Sequence, residues 1–397
     1  MDLDAFFCSV EELHQPDLKG TPFVVGGSPA GRGVVSSASY AARTFGIRSA
    51  MPTAQALRLC PDLIILSGRH KVYAEYSKRV MRFLRQSAPV VEQISIDEAF
   101  LDVSDDPKPG DIVAANLQKE IRVRFQLPTS WGVASNKLVA KIATEVGKPN
   151  GLIAVPSGME AEFLAPLPVD MLPGVGPKTR DRLAVEGIHH IGELAAQSEN
   201  RLREVLGDHG PELAARARGR DQRQVVEEHE PRSMSAETTF AQDVSDRDQL
   251  CRTLLRLSER VGSRLRKSDL AGKTIRIKLR WHDFKTITRQ TRLPQPSDQD
   301  REIYQAALEL FERAWRKNRP VRLVGVGVSD LGPPLRQLSL FDRAWEQDER
   351  LLRAIDSIRT RYGSKALRRA GSLRPKKSKS EIEHTREDEG LNKGDGE

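Results

Sequence analysis

The first 156 residues alternate short β-branched runs with longer stretches of helical period. "TPFVVGG" and "GRGVVSSAS" read as strands, "YAARTFGIRSA" and "PTAQALRLC" as short helices, and His70 to Ala88 as a long amphipathic helix. "VVEQISIDEAFLDVS" reads as strand, turn and strand. A helix over 111–125, the strand "TSWGVAS", a helix over 136–146 and the strand "GLIAVP" follow. Such interleaving predicts a mixed sheet layered by helices. From Ala161 to Arg223 the strand signal vanishes, and short helices are punctuated by "LPGVGPKT" and "VEGIHHIGELA", which predicts a small helical domain. Residues 224–232 are polar, carry a Pro and predict a linker. Beyond them come the strand "SMSAETTFAQDV", a helix over 247–268, the strands "KTIRIKLRW" and "KTITRQTRL", a helix over 298–317 and the strand "VRLVGVGVSDL". That order, β-α-β-β-α-β, is the split ferredoxin-like plan. A helix over 345–362 follows, and the charged composition after Arg374 predicts a disordered tail.

Composition narrows the partners. A chain of 397 residues that is 38% hydrophobic can bury several cores. Its 63 Lys and Arg against 55 Asp and Glu leave a net charge of +8, which favours a polyanionic partner such as nucleic acid over the plain alternative of a merely basic protein. Cys8, Cys60 and Cys251 are too few and too far apart for a disulfide framework or a zinc site, which points to a reducing cytosol. No apolar run approaches the roughly 18 residues needed to span a bilayer, and the start has no signal-peptide layout. The expectation is a soluble cytoplasmic protein without a membrane partner.

One segment is chemically loaded. In "QISIDEAFLDV", Ile94 and Ile96 share one parity while Ala99, Leu101 and Val103 share the other, so the hydrophobic phase slips between Asp97 and Glu98. A turn or bulge at the slip would bring both carboxylates to one side; the plain alternative is two solvated turn residues. Asp2 and Asp4, two apart, fall on one face of an extended segment. Carboxylates from separate strands around one point are the hard oxygen set that Mg²⁺ takes, and such a site suits two-metal phosphoryl transfer. No Ser-His-Asp set competes with it.

"DLDAFFCSVE", "SYAARTFGIRSAMP", "SIDEAFLD", "SNKLVAKIATEVGKPNGL" and "LPGVGPKT", in this order and spacing, resemble the Y-family DNA polymerases from Asp2 to about Leu331. The resemblance implies an α+β multidomain chain. It comprises a palm with mixed β-sheet and helices (1–7 and 70–155), small fingers (8–69), a helical thumb with a helix-hairpin-helix (156–223), the linker (224–232), a ferredoxin-like C-terminal little finger (233–332) and a clamp-binding segment with a charged tail (333–397).

By the same resemblance, Asp2, Asp97 and Glu98 hold two Mg²⁺ with the backbone carbonyl of Leu3, and Asp4 stands behind these ligands. Phe7 is the steric gate against a ribose 2′-hydroxyl, with Phe6 packed beside it at the nucleotide. Tyr40, Arg43 and Lys148 grip the triphosphate. Gly174, Gly176 and Lys178 belong to a hairpin whose amides meet a DNA phosphate. The little finger, with about 20 Lys and Arg against about 13 Asp and Glu between Ser233 and Gly332, would follow the duplex through Arg276, Lys278, Arg280 and Arg289. "RQLSLFD" resembles the bacterial sliding-clamp-binding pentapeptide, with Gln337, Leu338, Leu340 and Phe341 as its anchors. The implied activity is low-fidelity, DNA-templated synthesis past damaged bases, without proofreading. The implied partners are primer-template DNA, deoxynucleoside triphosphates and the clamp, and the chain is expected to act as a monomer. A non-catalytic DNA- and clamp-bound scaffold is the main rival; another palm enzyme, such as a nucleotidyl cyclase, leaves the helical hairpin and the basic domain unexplained. Family members usually carry an apolar half-strand before the first Asp, so the opening strand is expected to fray, with an α-amino charge near the metals.

Overall fold

The computed structural model describes residues 1–227, 230–317, 319–334, 343–363, 366–367 and 369. The chain divides into two compact units, Met1–His229 and Glu230–Glu397, and the division falls within the polar stretch 224–232.

In the first unit the opening strand β1 (Asp2–Leu3) is only two residues long. Ala5 takes a left-handed φ of 44°, and helix α1 (Phe6–His14) begins at once. The extended opening segment therefore stops short of Phe6 and Phe7. Phe6, Val10 and Leu13 recur at helical spacing, and that spacing prevails over the strand propensity of two aromatics. Strands β2 (Phe23–Gly26) and β3 (Val35–Ala38) pair antiparallel. Short helices α2 (Tyr40–Arg43) and α3 (Thr53–Leu59) follow, and β4 (Ile64–Leu66) lies parallel to β2. Their small core of Val24, Val35, Ala42 and Ile47 is separate from the main one.

Helix α4 (His70–Ser87) buries Tyr73, Ser77, Val80, Met81 and Leu84, a stripe at three- and four-residue intervals. It shares the main core with Leu3, Phe6, Val10, Ile121 and Trp131. The expected border between residues 7 and 8 thus runs through a single helix, α1, that packs into this core. Hairpin β5 (Val90–Gln93) and β6 (Ala99–Asp102) encloses the Ile94–Glu98 turn. Helix α5 (Gly110–Phe125), strand β7 (Thr129–Val133), helix α6 (Lys137–Val146) and strand β8 (Leu152–Ala154) complete the layer. β7 is the centre of a three-stranded sheet, antiparallel to β1 and parallel to β8.

Five short helices, α7 (Glu160–Leu164), α8 (Pro177–Val185), α9 (Ile191–Ala195), α10 (Glu199–Leu206) and α11 (Gly210–Ala217), gather around Leu172, Leu183, Ile191, Leu202 and Leu213.

The second unit contains β9 (Ser233–Val244), α12 (Arg247–Lys267), β10 (Ala271–Trp281), β11 (Thr286–Ser297), α13 (Asp300–Ala314) and β12 (Val321–Gly332). The sheet order is β11-β10-β12-β9, antiparallel throughout, so each β-α-β crossover steps over one strand of the other. Ile275, Ile277, Leu279 and Trp281 turn to the helices; the alternate positions are open. A final helix, α14 (Arg343–Tyr362), is fastened by Asp356 to Arg266 at 2.7 Å and by Arg359 to Glu259 at 3.2 Å. Among the described residues, no helix is long and apolar enough to cross a membrane.

Candidate active site

β1 is held from both sides. Asp2 and Leu3 pair with Ser130 and Thr129 of β7, Asp2 bridges Glu98, and the Leu3 amide donates to the Asp97 carbonyl at 2.9 Å. The Met1 amine donates to Ala99 O at 2.9 Å, and the Ala99 amide donates back at 3.2 Å. The expectation of a frayed start is therefore corrected: Met1, Asp2 and Leu3 are buried and bonded, and burial pushes the amine down to about 6, so much of its charge is gone at neutral pH.

The turn before Glu98 is built by Ser95, whose hydroxyl accepts from the Asp97 amide at 3.1 Å and the Glu98 amide at 3.0 Å and donates to the Asp97 carboxylate. This turn sits at the slip in hydrophobic phase and sets Asp97 and Glu98 against β1. Each of the three acids has its own partner. Asp2 meets the Lys148 ammonium at 2.9 Å, Glu98 meets Lys141 at 2.7 Å, and Asp97 holds Ser95. Burial, reinforced by the Asp97 and Glu98 charges, pushes the Asp2 carboxyl up to about 7 against the pull of Lys148. Burial also works against the Glu98 carboxylate, but Lys141 prevails and holds it below the ordinary glutamate range.

Among the described residues, no three His, Cys, Asp or Glu side chains are drawn together as a ready ligand set. The physical reason is the two lysines: ammonium groups neutralise Asp2 and Glu98 individually. Still, the donors are hard oxygens on adjoining backbones, and the Asp2 carboxyl is raised by burial first and by the Asp97 and Glu98 charges in addition. The residues therefore fit a hard divalent cation. A cavity of about 140 Å³ opens beside Asp2, Glu98, Lys141 and Lys148.

Asp4 lies just past β1, wholly buried, and keeps to the face of Asp2: its amide continues the ladder to the Pro128 carbonyl at 3.0 Å, and its carboxylate meets Ser130, the residue paired with Asp2. Its carboxylate accepts from the Ser130 hydroxyl at 2.8 and 2.9 Å, from the Asn150 amide at 2.6 Å and from the Tyr40 hydroxyl at 3.4 Å. One anion thus joins the opening strand, the first turn of α2, β7 and the loop that carries Lys148. Tyr40 follows the N-cap Ser39, whose hydroxyl accepts from the Ala42 amide at 3.1 Å, and the Arg43 guanidinium lies 4.6 Å over the Tyr40 ring. Phe7, half-buried in the first turn of α1, stacks on Tyr73 at 4.3 Å and 15° and meets His70 edge-on at 5.9 Å. The Phe6 ring is enclosed in the core at 2% exposure, so only its backbone could meet a nucleotide.

Lys141, Ser95 and Ser130 were not singled out in the sequence. Lys141 had a signal, since it lies on α6 within the same quoted segment as Lys148, "SNKLVAKIATEVGKPNGL". The two serines had none.

In the helical cluster Gly174 takes a φ of 102°, a left-handed conformation that favours glycine. Gly176 does not; it is the N-cap of α8 at φ −85°. A Cβ on Gly176 would meet nothing within 4 Å, so its use is an open approach to the helix start rather than a tight turn. A 3₁₀ turn, Val169–Met171, precedes the hairpin, and Gly174, Gly176 and Lys178 are exposed.

On the open face of the second unit, Arg276, Lys278 and Arg280 line up along β10, opposite Gln290, Thr288 and Thr286. Gly327 and Gly325 lie beside Arg276 and Lys278 on the other flank and leave a depression of about 230 Å³. Arg289 pairs with Ile277 and so belongs to the opposite face of the sheet, which corrects its grouping with the other three. Gln337, Leu338, Leu340 and Phe341 lie outside the described residues.

The impB/mucB/samB family model matches residues 1–145, and the model of that family's C-terminal domain matches residues 231–340. A DNA polymerase IV from Dehalococcoides mccartyi (strain CBDB1) is 42% identical over 95% of this chain and 97% of its own length. Another, from Streptomyces coelicolor, is 43% identical over 87% of this chain and 72% of its own. Among solved structures, a Y-family DNA polymerase chimera of Dbh and Dpo4 matches with a TM-score of 0.73 at 26% identity, covering 84% of this chain and 98% of that one. DinB from Sulfolobus solfataricus matches with 0.57 at 27% identity, covering 83% and 97%. With models matching in both units and relatives spanning nearly the whole length, the chain belongs to the impB/mucB/samB family of Y-family, DNA-directed DNA polymerases.

Proposed function

We propose that the protein extends primers by two-metal nucleotidyl transfer past damaged template bases, at low fidelity and without proofreading. The observation that carries this reading is the convergence of five separated segments, through Asp2, Tyr40, Glu98, Ser130 and Lys148, on one acidic and basic cluster knit together by Asp4. Asp2, Asp97, Glu98 and the Leu3 carbonyl would hold two Mg²⁺, which activate a primer 3′-hydroxyl and steady the leaving pyrophosphate when bound. Lys148, with Arg43 and Tyr40, offers donors to the triphosphate. Phe7 presents its free ring face to the sugar.

In this reading 1–7 and 70–155, together with the rest of α1, form the palm, the remainder of 8–69 the fingers, 156–223 the thumb and 233–332 the little finger. The start of α8, with Gly174, Gly176 and Lys178, donates to a DNA phosphate, and Arg276, Lys278 and Arg280 follow the duplex backbone. Gln337, Leu338, Leu340 and Phe341 tether the chain to a bacterial sliding clamp. The protein acts as a monomer in the cytoplasm.

The test is primer extension on undamaged and lesion-bearing templates, with and without clamp. Asp97→Ala and Glu98→Ala should lose extension by about a thousandfold or more while still binding duplex. Normal synthesis by either variant refutes the metal assignment. Duplex binding with no extension by the unaltered protein would instead support the scaffold.

A further inference from the structure

A steric gate discriminates only by as much as it costs to push the gating ring aside, so what stands behind the ring matters as much as the ring. The ring of Phe7 rests nearly parallel on Tyr73, 4.3 Å away, with His70 edge-on to both rings at 5.9 and 6.0 Å. Tyr73 is wholly buried, and its hydroxyl donates to the Glu11 carboxylate. Glu11 lies one helical turn after Phe7 on α1 and is itself 2% exposed. Both of its oxygens are further engaged by the Arg69 guanidinium, with Nε at 2.9 Å on Oε1 and Nη2 on Oε2, and Arg69 is the N-cap of α4. A buried carboxylate clamped in this way is costly unless its geometry is kept, and the cost locks α1 to α4 directly behind the gate.

Resting on the reading of Phe7 as the gate, we propose that Glu11 is a positioning residue: with Arg69 it fixes the Tyr73 ring as the unyielding wall that makes Phe7 exclude a 2′-hydroxyl. Burial, with the Glu11 bond added, pushes the Tyr73 phenol up to about 12, so the hydroxyl keeps the proton it donates across the working pH range. Nothing in this arrangement touches the reacting atoms. Its effect is on the stiffness of the sugar pocket, so sugar selectivity should respond to it more than rate.

The experiment is single-nucleotide incorporation, measuring kcat/KM for matched deoxy- and ribonucleotides with Tyr73→Phe, Glu11→Gln and Phe7→Ala. Tyr73→Phe keeps the stacked ring and removes only the tether. Its ribo-to-deoxy ratio should rise about tenfold, the equivalent of one charge-assisted hydrogen bond. Glu11→Gln should shift the ratio in the same direction, and Phe7→Ala should raise it by about a hundredfold. A merely structural role would lower both efficiencies together and leave the ratio alone. If Phe7→Ala shifts the ratio and Tyr73→Phe does not, the positioning role is overturned while the gate stands. If Phe7→Ala leaves the ratio unchanged, the gate fails and this inference with it. Should Glu11→Gln not fold, Tyr73→Phe alone decides, because it preserves the core volume.

Discussion

Replacing Asp4 by Ala tests the wiring of the site most directly. The carboxylate is fully enclosed and accepts from Ser130, Asn150 and Tyr40. The Ser130 and Asn150 bonds are short and charge-assisted; the Tyr40 bond, at 3.4 Å, is weak. Two such bonds at about 1.5–3 kcal/mol each, offset by the relief of desolvating a buried anion, leave a net loss of about 3 kcal/mol. For a unit of this size that is a fall in Tm of roughly 6–12 °C. Asp4→Asn should cost only about 1 kcal/mol, because an amide oxygen still accepts from the fixed Asn150 N–H while the Ser130 hydroxyl reorients.

The kinetic signature follows from which loop is released. Asn150 lies two residues after Lys148, so Asp4→Ala should raise KM for the nucleotide about tenfold and lower kcat much less. Calorimetry and steady-state incorporation on one template check both halves. An unchanged Tm together with a collapse of kcat would refute the reasoning and mark Asp4 as a direct metal ligand instead.

Three further outcomes are expected. Arg276→Ala and Lys278→Ala should each weaken duplex binding and reduce the slope of log affinity against log salt by about one, whereas Arg289→Ala, on the other face of the sheet, should leave the slope unchanged; titrations at several ionic strengths read this. Arg266→Met removes the cation 2.9 Å from Asp300 and 2.7 Å from Asp356 and should destabilise the second unit by about 3–5 kcal/mol. Asp300 titrates at about 6 instead of 3.8 because burial outweighs Arg266, so the native state holds this proton more tightly than the unfolded chain, and stability falls as pH rises from about 4 to about 6. Without Arg266 that window moves upward, and the deficit measured by thermal denaturation at pH 8 should shrink at pH 5. Leu340→Ala combined with Phe341→Ala should abolish stimulation by a bacterial clamp without altering unstimulated extension.

The regular elements were legible because their periods are strong. The four apolar contacts of α4 and the alternation along β10 could be read from spacing alone, as could the phase slip that makes the Asp97–Glu98 turn. The misreadings share a cause, which is short range. Phe6 and Phe7 favour a strand locally, yet the helix begins there because Val10 and Leu13 complete an apolar face further along. Asp4 reads correctly as the second member of an alternating pair, but its partners Ser130 and Asn150, 126 and 146 residues away, are announced by no local pattern. Arg289 carries a charge at a strand position, but which face it takes depends on its register against Ile277, which no local pattern encodes.

The two lysines that neutralise Asp2 and Glu98 also separate folding from cofactor supply. Many small metal-binding domains cannot assemble until an ion discharges their clustered ligands, so that binding energy and folding energy are the same quantity. Here Lys148 and Lys141 provide the countercharge from within the chain. A newly made molecule can therefore reach its final shape in an ion-poor environment and wait there. A chelator should silence it reversibly without unfolding it.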